Sequence, residues 1–146
     1  MTIRDLQAGD RAQWDKLWQG YLAFYQSDLA PEISGVTFAR FLDPTEPMFA
    51  LVAVDEASGE LLGFAHCVLH RGTWSIGDFC YLEDLFVTSD ARGRGFGRAL
   101  IEAVYARADE LGCERVYWLT HETNTSARKL YDQVAEHRGF IQYRRK

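Results

Sequence analysis

Between residues 78 and 120 the apolar pattern of this chain changes period twice. A branched and aromatic run over residues 78–87 leads into the glycine loop Arg92-Gly93-Arg94-Gly95-Phe96-Gly97. Leu100, Ile101, Val104, Tyr105, Ala108 and Leu111 then recur at helical spacing, Gly112 stands where such a helix ends, and a second strand-like run covers residues 115–120. Two strands bracketing a helix imply a parallel pair joined by a crossover, which excludes an all-helical or purely antiparallel architecture.

The remaining segments add antiparallel structure. Residues 48–54 and 61–69 are apolar, branch-rich runs separated by Glu56-Ala57-Ser58-Gly59-Glu60, the pattern of a β-hairpin. Residues 2–4 form a short strand, and Gly9-Asp10 offers a turn and an N-cap for a helix over residues 11–26. Trp14, Leu17, Trp18, Tyr21, Leu22 and Tyr25 share one stripe of that helix, which predicts core packing, while Tyr21, Phe24 and Tyr25 near its end are also placed to wall a substrate channel. Residues 28–35 are expected as a loop and residues 37–42 as a short helix before the breaker run Asp43-Pro44-Thr45-Glu46-Pro47. A turn-like stretch over residues 71–77 precedes the strand at 78–87. Beyond residue 120 the pattern predicts a helix over residues 125–138, ended by Gly139, and a last strand over 140–144. The fold class is therefore α/β, with a central mixed sheet flanked by helices, in one domain over residues 1–146.

Composition narrows the partners. Nothing approaches the run of about 18 apolar residues that spans a bilayer, and Met1 to Asp5 lack the layout of an export signal, so a cytoplasmic protein is expected, with no membrane partner. Cys67, Cys80 and Cys113 are odd in number and widely spaced, which offers neither a disulfide framework nor a CxxC metal site and predicts reduced thiols. A net charge of -5 argues against nucleic acid and suits a cationic small molecule.

A glycine loop between a strand and a helix favours an anion, because unpaired amides and the helix dipole converge there. The dinucleotide fingerprint G-x-G-x-x-G fails, since the third position is Arg98 when read from Gly93 and Leu100 when read from Gly95. No Gly-Lys-Ser/Thr follows to make a P-loop. Arg-x-x-Gly-x-Gly does fit, at Arg92, Gly95 and Gly97. That motif resembles the pyrophosphate-binding signature of the GNAT superfamily of N-acetyltransferases. Tyr81-Leu82-Glu83-Asp84-Leu85-Phe86-Val87, with Ser89-Asp90-x-Arg92-Gly93, is similar to the central block of the diamine (spermidine/spermine) acetyltransferase family. Asn124-x-x-Ala127-x-x-Leu130-Tyr131, with Gly139-Phe140 beyond, resembles the superfamily's second cofactor segment. The resemblance implies strands splayed around acetyl-CoA as co-substrate, with no metal. It implies cofactor contacts from Leu85, Phe86 and Val87, from Arg92, Gly93, Arg94, Gly95, Phe96, Gly97 and Arg98, and from Asn124 and Ala127.

The implied chemistry makes specific demands. An alkyl amine with a pKa of about 10.4 must lose a proton before attacking a thioester. Glu83 and Asp84 are adjacent on an apolar strand, so alternation sends them to opposite faces, with Glu83 beside Tyr81, Leu85 and Val87. By resemblance Glu83 takes the proton, directly or through water, and Asp84 fixes or attracts the cation; solvation at a strand end or bulge is the plainer alternative. The resemblance also places oxyanion donors near Leu85 and Val87. Tyr131 lies on the stripe Ala127, Leu130, Tyr131 and Val134, which by spacing makes it a core residue, whereas the resemblance makes it the acid that protonates the departing thiolate. Tyr21, Tyr25, Trp74, Glu83 and Asp84 are the candidate substrate contacts, Trp74 by cation–π contact or else by packing. His121-Glu122 either touches substrate or is a solvated loop. The expected function is transfer of acetyl from acetyl-CoA to a primary amine, through a tetrahedral intermediate, with a polyamine, diamine or lysine-like acceptor. Acetylation of a protein lysine or N-terminus and a non-catalytic acyl-CoA sensor are the alternatives. The short final strand would leave an unpaired edge, and a homodimer is expected to cover it and to add residues to the substrate mouth.

Overall fold

The structure is a computed structural model and describes residues 1–146. In chain order it contains β1 (Thr2–Asp5), α1 (Arg11–Phe24), α2 (Pro31–Leu42), β2 (Met48–Val54), β3 (Leu61–His70), β4 (Phe79–Val87), α3 (Phe96–Glu110), β5 (Arg115–Tyr117) and α4 (Thr125–Val134). The strands form one sheet in the order β1-β2-β3-β4-β5; the first three pairings are antiparallel and β4 with β5 is parallel, as the crossover pattern requires. No helix is long and apolar enough to cross a membrane.

Alternation along the buried strands feeds two cores. Phe49, Leu51 and Ala53 of β2 pack with Cys67, Cys80 and Leu82 against Leu100, Ile101 and Val104 of α3. Ala50, Val52 and Val54 face the other way, onto Trp14, Leu17, Trp18 and Leu22 of α1 and Phe38 of α2. Each large aliphatic side chain so enclosed contributes about 1.5–3 kcal/mol, so α3 and α1 are fixed rigidly on opposite faces. Between β1 and α1, Arg4 donates two hydrogen bonds to the carboxylate of Asp10, at 2.8 and 3.0 Å, and the Gln7 amide donates a third at 2.8 Å.

Two irregularities shape the site. His66 of β3 is paired with Asp84 of β4, but Cys67 is paired with Leu82, so Glu83 is an extra residue and β4 carries a β-bulge there. The bulge overturns the alternation expected from the sequence: Leu85 and Val87 pack toward α3, and Asp84 and Phe86 toward α1. The β4–β5 ladder ends at Tyr81↔Tyr117, whereas β4 stays paired to β3 through Val87. From Leu82 onward β4 therefore has no strand partner on its β5 side. The strand predicted to reach residue 120 stops at Tyr117 because it diverges here.

Other boundaries also move. α1 ends at Phe24 rather than residue 26, and α2 begins at Pro31 rather than residue 37, because Pro occupies its first turn with preset φ and without an amide to satisfy. α4 ends at Val134 rather than residue 138, since Ala135 is extended. Residues 140–144 form no strand: no backbone ladder reaches them, and Phe140, Ile141 and Tyr143 are 89%, 73% and 90% exposed. Their alternating side chains suit a strand that nothing in this chain pairs.

Candidate active site

The glycine loop sits between a short 3-10 turn, Ser89–Ala91, and the first turn of α3. Gly93 and Gly95 have φ of 77° and 84°, conformations that side-chain-bearing residues rarely adopt, and a Cβ added to either would meet nothing within 4 Å. Open space thus lies over the loop. Ala99 is the first amide of α3 to find a backbone acceptor, at Gly95 (3.0 Å), which leaves the amides of Phe96, Gly97 and Arg98 at the positive end of the helix dipole. Such a cradle fits a pyrophosphate.

The side chains around the loop hold its frame. Arg92 donates from Nε to the Val87 carbonyl at 3.1 Å and lies over the Phe24 and Phe86 rings, tying the end of β4 to the loop. Arg94 lies over Phe96, whose ring is buried in the core. Arg98 bonds Gln133 across to α4, and Leu130 lies 3.4 Å from the position of a Cβ on Gly97. Among the predicted cofactor residues, the loop therefore offers mainly backbone. Asn124 precedes α4, bonds Thr120 at 3.2 Å, and stands with Ala127 at the start of that helix.

Where β4 and β5 part, a cleft of about 460 Å³ opens. Tyr21 of α1 and Tyr25 just past its end, Tyr81, Glu83 and Leu85 of β4, Trp118 and Thr120 beyond β5, and Tyr131 of α4 line it. Glu83 and Tyr131 are thus brought to one cavity from elements 48 residues apart (131 − 83). The Glu83 carboxyl has a raised pKa, first through partial burial and then through the charge of Asp84. Burial, and next the neighbouring Tyr25, raises that of Tyr131, so its phenol keeps its proton and remains a donor. Its ring packs edge-on to Trp118 at 5.4 Å, so core packing and access to the cleft coexist in one residue.

Not every candidate arrives. Trp74 is 88% exposed in the β3–β4 connection and does not line the cleft. Asp84 stands behind the wall, hydrogen-bonded to His66 at 2.9 Å, and reaches the cleft through its charge rather than its surface. His121 and Glu122 do line the cleft, and so do Arg128, His137, Phe140, Ile141, Gln142 and Arg144, which sequence reasoning left out. The loop position of His121-Glu122 was one available signal; the folding-back of the tail left none. No three His, Cys, Asp or Glu side chains gather as a metal cluster.

Comparison with known proteins places the fold and the family. The chain is 41% identical over 145 residues to the D-amino-acid N-acetyltransferase HPA3 of Saccharomyces cerevisiae, covering 99% of this chain and 90% of that protein. Its fold matches the crystal structure of a probable acetyltransferase with a TM-score of 0.86 at 23% identity, over 99% of this chain and 96% of that one. It also matches AAC(6')-Iy in complex with the bisubstrate analog CoA-S-monomethyl-acetylneamine, with a TM-score of 0.84 at 20% identity, over 99% and 97% of the two chains. A family model described as Acetyltransferase (GNAT) family matches residues 11–135, and the chain belongs to that family.

Proposed function

We propose that this chain is a single-domain, acetyl-CoA-dependent N-acetyltransferase whose acceptor is a small primary amine of the amino-acid or lysine-like class. The observation that carries the reading is the shared cleft: a carboxyl of raised pKa and a protonated phenol line one cavity at the β4–β5 split, and the helix α4 that carries the phenol meets the glycine loop through Leu130 and Gln133. Its volume lies in the range of small-molecule sites. Both Glu83 and the cations Arg128 and Arg144 line it, a distribution suited to an acceptor with an ammonium and a carboxylate. The amino-acid substrate in the name of the yeast relative points the same way.

Acetyl-CoA supplies a thioester, whose acetyl carbon the amine attacks. The amides of Phe96, Gly97 and Arg98 would hold its pyrophosphate, Asn124 and Ala127 at the start of α4 would add contacts, and Arg92 keeps the loop docked to β4. Glu83 removes the proton of the bound ammonium, directly or through water; its raised pKa brings it closer to the working pH of a general base. The unpaired backbone near Leu85 and Val87 stabilises charge on the carbonyl oxygen, and Tyr131 donates a proton to the leaving sulfur.

The reading includes a cytoplasmic homodimer. The exposed Phe140, Ile141 and Tyr143 and the open outer side of β5 are the surfaces a second copy would cover, and the same tail borders the cleft. Light scattering that finds a monomer at working concentration overturns it. The test of function is thiol release from acetyl-CoA with D- and L-lysine, a short diamine, spermidine and a histone-like peptide. Turnover of the amino acids or diamines above the peptide is expected. Turnover of the peptide alone moves the acceptor to proteins, and no thiol release from any amine leaves an acyl-CoA sensor.

A further inference from the structure

His66 is a fully polar side chain in the middle of an apolar strand, and it is 1% exposed. A ring of aromatics encloses it: Phe64 from β3 stacks at 4.1 Å, Phe41 from α2 lies at 4.5 Å, and Trp18 and Trp14 from α1 lie at 5.2 and 5.8 Å. Both ring nitrogens are nevertheless engaged. The Trp14 indole N–H donates to Nε2 at 3.0 Å, and Nδ1 faces Asp84 Oδ2 of β4 at 2.9 Å.

This geometry selects one protonation state. An indole N–H can only donate, so Nε2 must present its lone pair, and the remaining proton sits on Nδ1, where it donates to Asp84. An imidazolium would need a second acceptor where the indole supplies a donor. The aromatic shell gives a cation no solvation, and burial accordingly lowers the His66 pKa despite Asp84. Asp84 thus gains a fixed hydrogen bond but no counter-charge, which an Arg or Lys in the same place would have supplied. Its charge is felt at the cleft: it helps to raise the pKa values of Tyr21, Tyr25, Tyr81 and Glu83, after burial in each case.

We propose that His66 is a positioning residue for the acceptor: as a neutral Nδ1–H donor, locked by Trp14, it orients the Asp84 carboxylate behind the tyrosine wall without neutralising it. The fixed negative charge draws an ammonium to Glu83. This rests on the amine-acceptor reading above. Trp14 and His66 enter the reaction only through Asp84, and neither touches the cleft.

Two measurements test it. Nitrogen-15 histidine spectra of the folded chain from about pH 5 to 8, where free imidazole changes charge, should show His66 as the neutral Nδ1–H tautomer throughout. Trp14→Phe removes the donor at Nε2 while Asp84 still accepts from Nδ1, so it should shift the Nε2 resonance and leave the proton on Nδ1. An imidazolium, an Nε2–H ring in the parent, or a Trp14→Phe spectrum identical to the parent's overturns the arrangement. Steady-state kinetics then use whichever of D-lysine and spermidine the parent turns over. His66→Leu should raise KM for the amine about tenfold, the scale of a lost hydrogen bond to a charged group, with KM for acetyl-CoA and kcat within about twofold. His66→Asn, which keeps a donor toward Asp84, should return the amine KM to within about threefold of the parent. Equal losses in the two variants, or an unchanged amine KM in His66→Leu, refute the positioning role. If the parent acetylates neither amine, the acceptor class fails, and the tautomer spectra still decide whether Asp84 is held by a neutral ring.

Discussion

Gly95→Val, with Gly59→Val as its control, separates backbone strain from loss of a ligand. Both glycines have positive φ, 84° and 75°, and at neither would a Cβ meet another atom within 4 Å. Each substitution therefore carries the same kind of cost, about 2 kcal/mol for a side chain held in the left-handed region, without a steric clash inside the protein. For a chain of this length that lowers Tm by roughly 4–8 °C. The two sites differ only in what lies over them: Gly59 is in the β2–β3 hairpin, Gly95 at the α3 amides. In differential scanning fluorimetry with acetyl-CoA at 100 times its Kd, linkage should stabilise the parent by about 2.7 kcal/mol, roughly 5–10 °C in Tm. Gly59→Val should keep that increment on its lowered baseline. Gly95→Val should lose it, because the side chain fills the space that the pyrophosphate needs. A full ligand shift in Gly95→Val, or its loss in both variants, would show that the loop is not the pyrophosphate cradle.

Glu83→Gln should lower kcat/KM by roughly 100- to 10,000-fold and abolish the acid limb of its pH profile, while Asp84→Asn should move that limb to lower pH by removing the like charge. Because the folded state holds the Glu83 proton more tightly than the unfolded chain, its stability is full below the ordinary Glu pKa of about 4.3 and falls as pH rises through the raised value. Glu83→Gln should therefore not lower Tm at neutral pH. Tyr131→Phe keeps the ring against Trp118, so a loss of about 100-fold in kcat with Tm and acetyl-CoA affinity retained marks an acid, whereas normal turnover returns the residue to packing. Asp10→Ala should cost about 2 kcal/mol by thermal melting. Its pKa is lowered, chiefly by Arg4, so in the parent this stability is present above about pH 3.9 and is lost as pH falls through the folded value.

The parts of this molecule legible in the sequence are those in which a local pattern and its tertiary use coincide. The β2–β3 hairpin shows as two apolar runs around a turn, α3 between β4 and β5 carries a period of 3.6, and Gly93 and Gly95 announce the positive φ they adopt. Ile141 to Arg144 alternate, yet alternation states only that side chains suit a ladder; the missing backbone partner belongs to no sequence pattern. α2 had a readable start in Pro31 followed by Glu32, which the interior Gly35 obscured. The bulge is the more instructive failure. Alternation through Leu82-Glu83-Asp84-Leu85 sends the two carboxylates to opposite faces, and a single extra residue on β4 reverses this for everything beyond it. Asp84 then lands on the α1 side, opposite the one polar residue that β3 buries there. A histidine inside an apolar run and an aspartate beside a candidate base look like separate anomalies in one dimension. Through the bulge each becomes the reason that the other is tolerated: the ring satisfies a buried carboxylate, and the carboxylate satisfies a buried ring, while the charge between them remains available to the cleft.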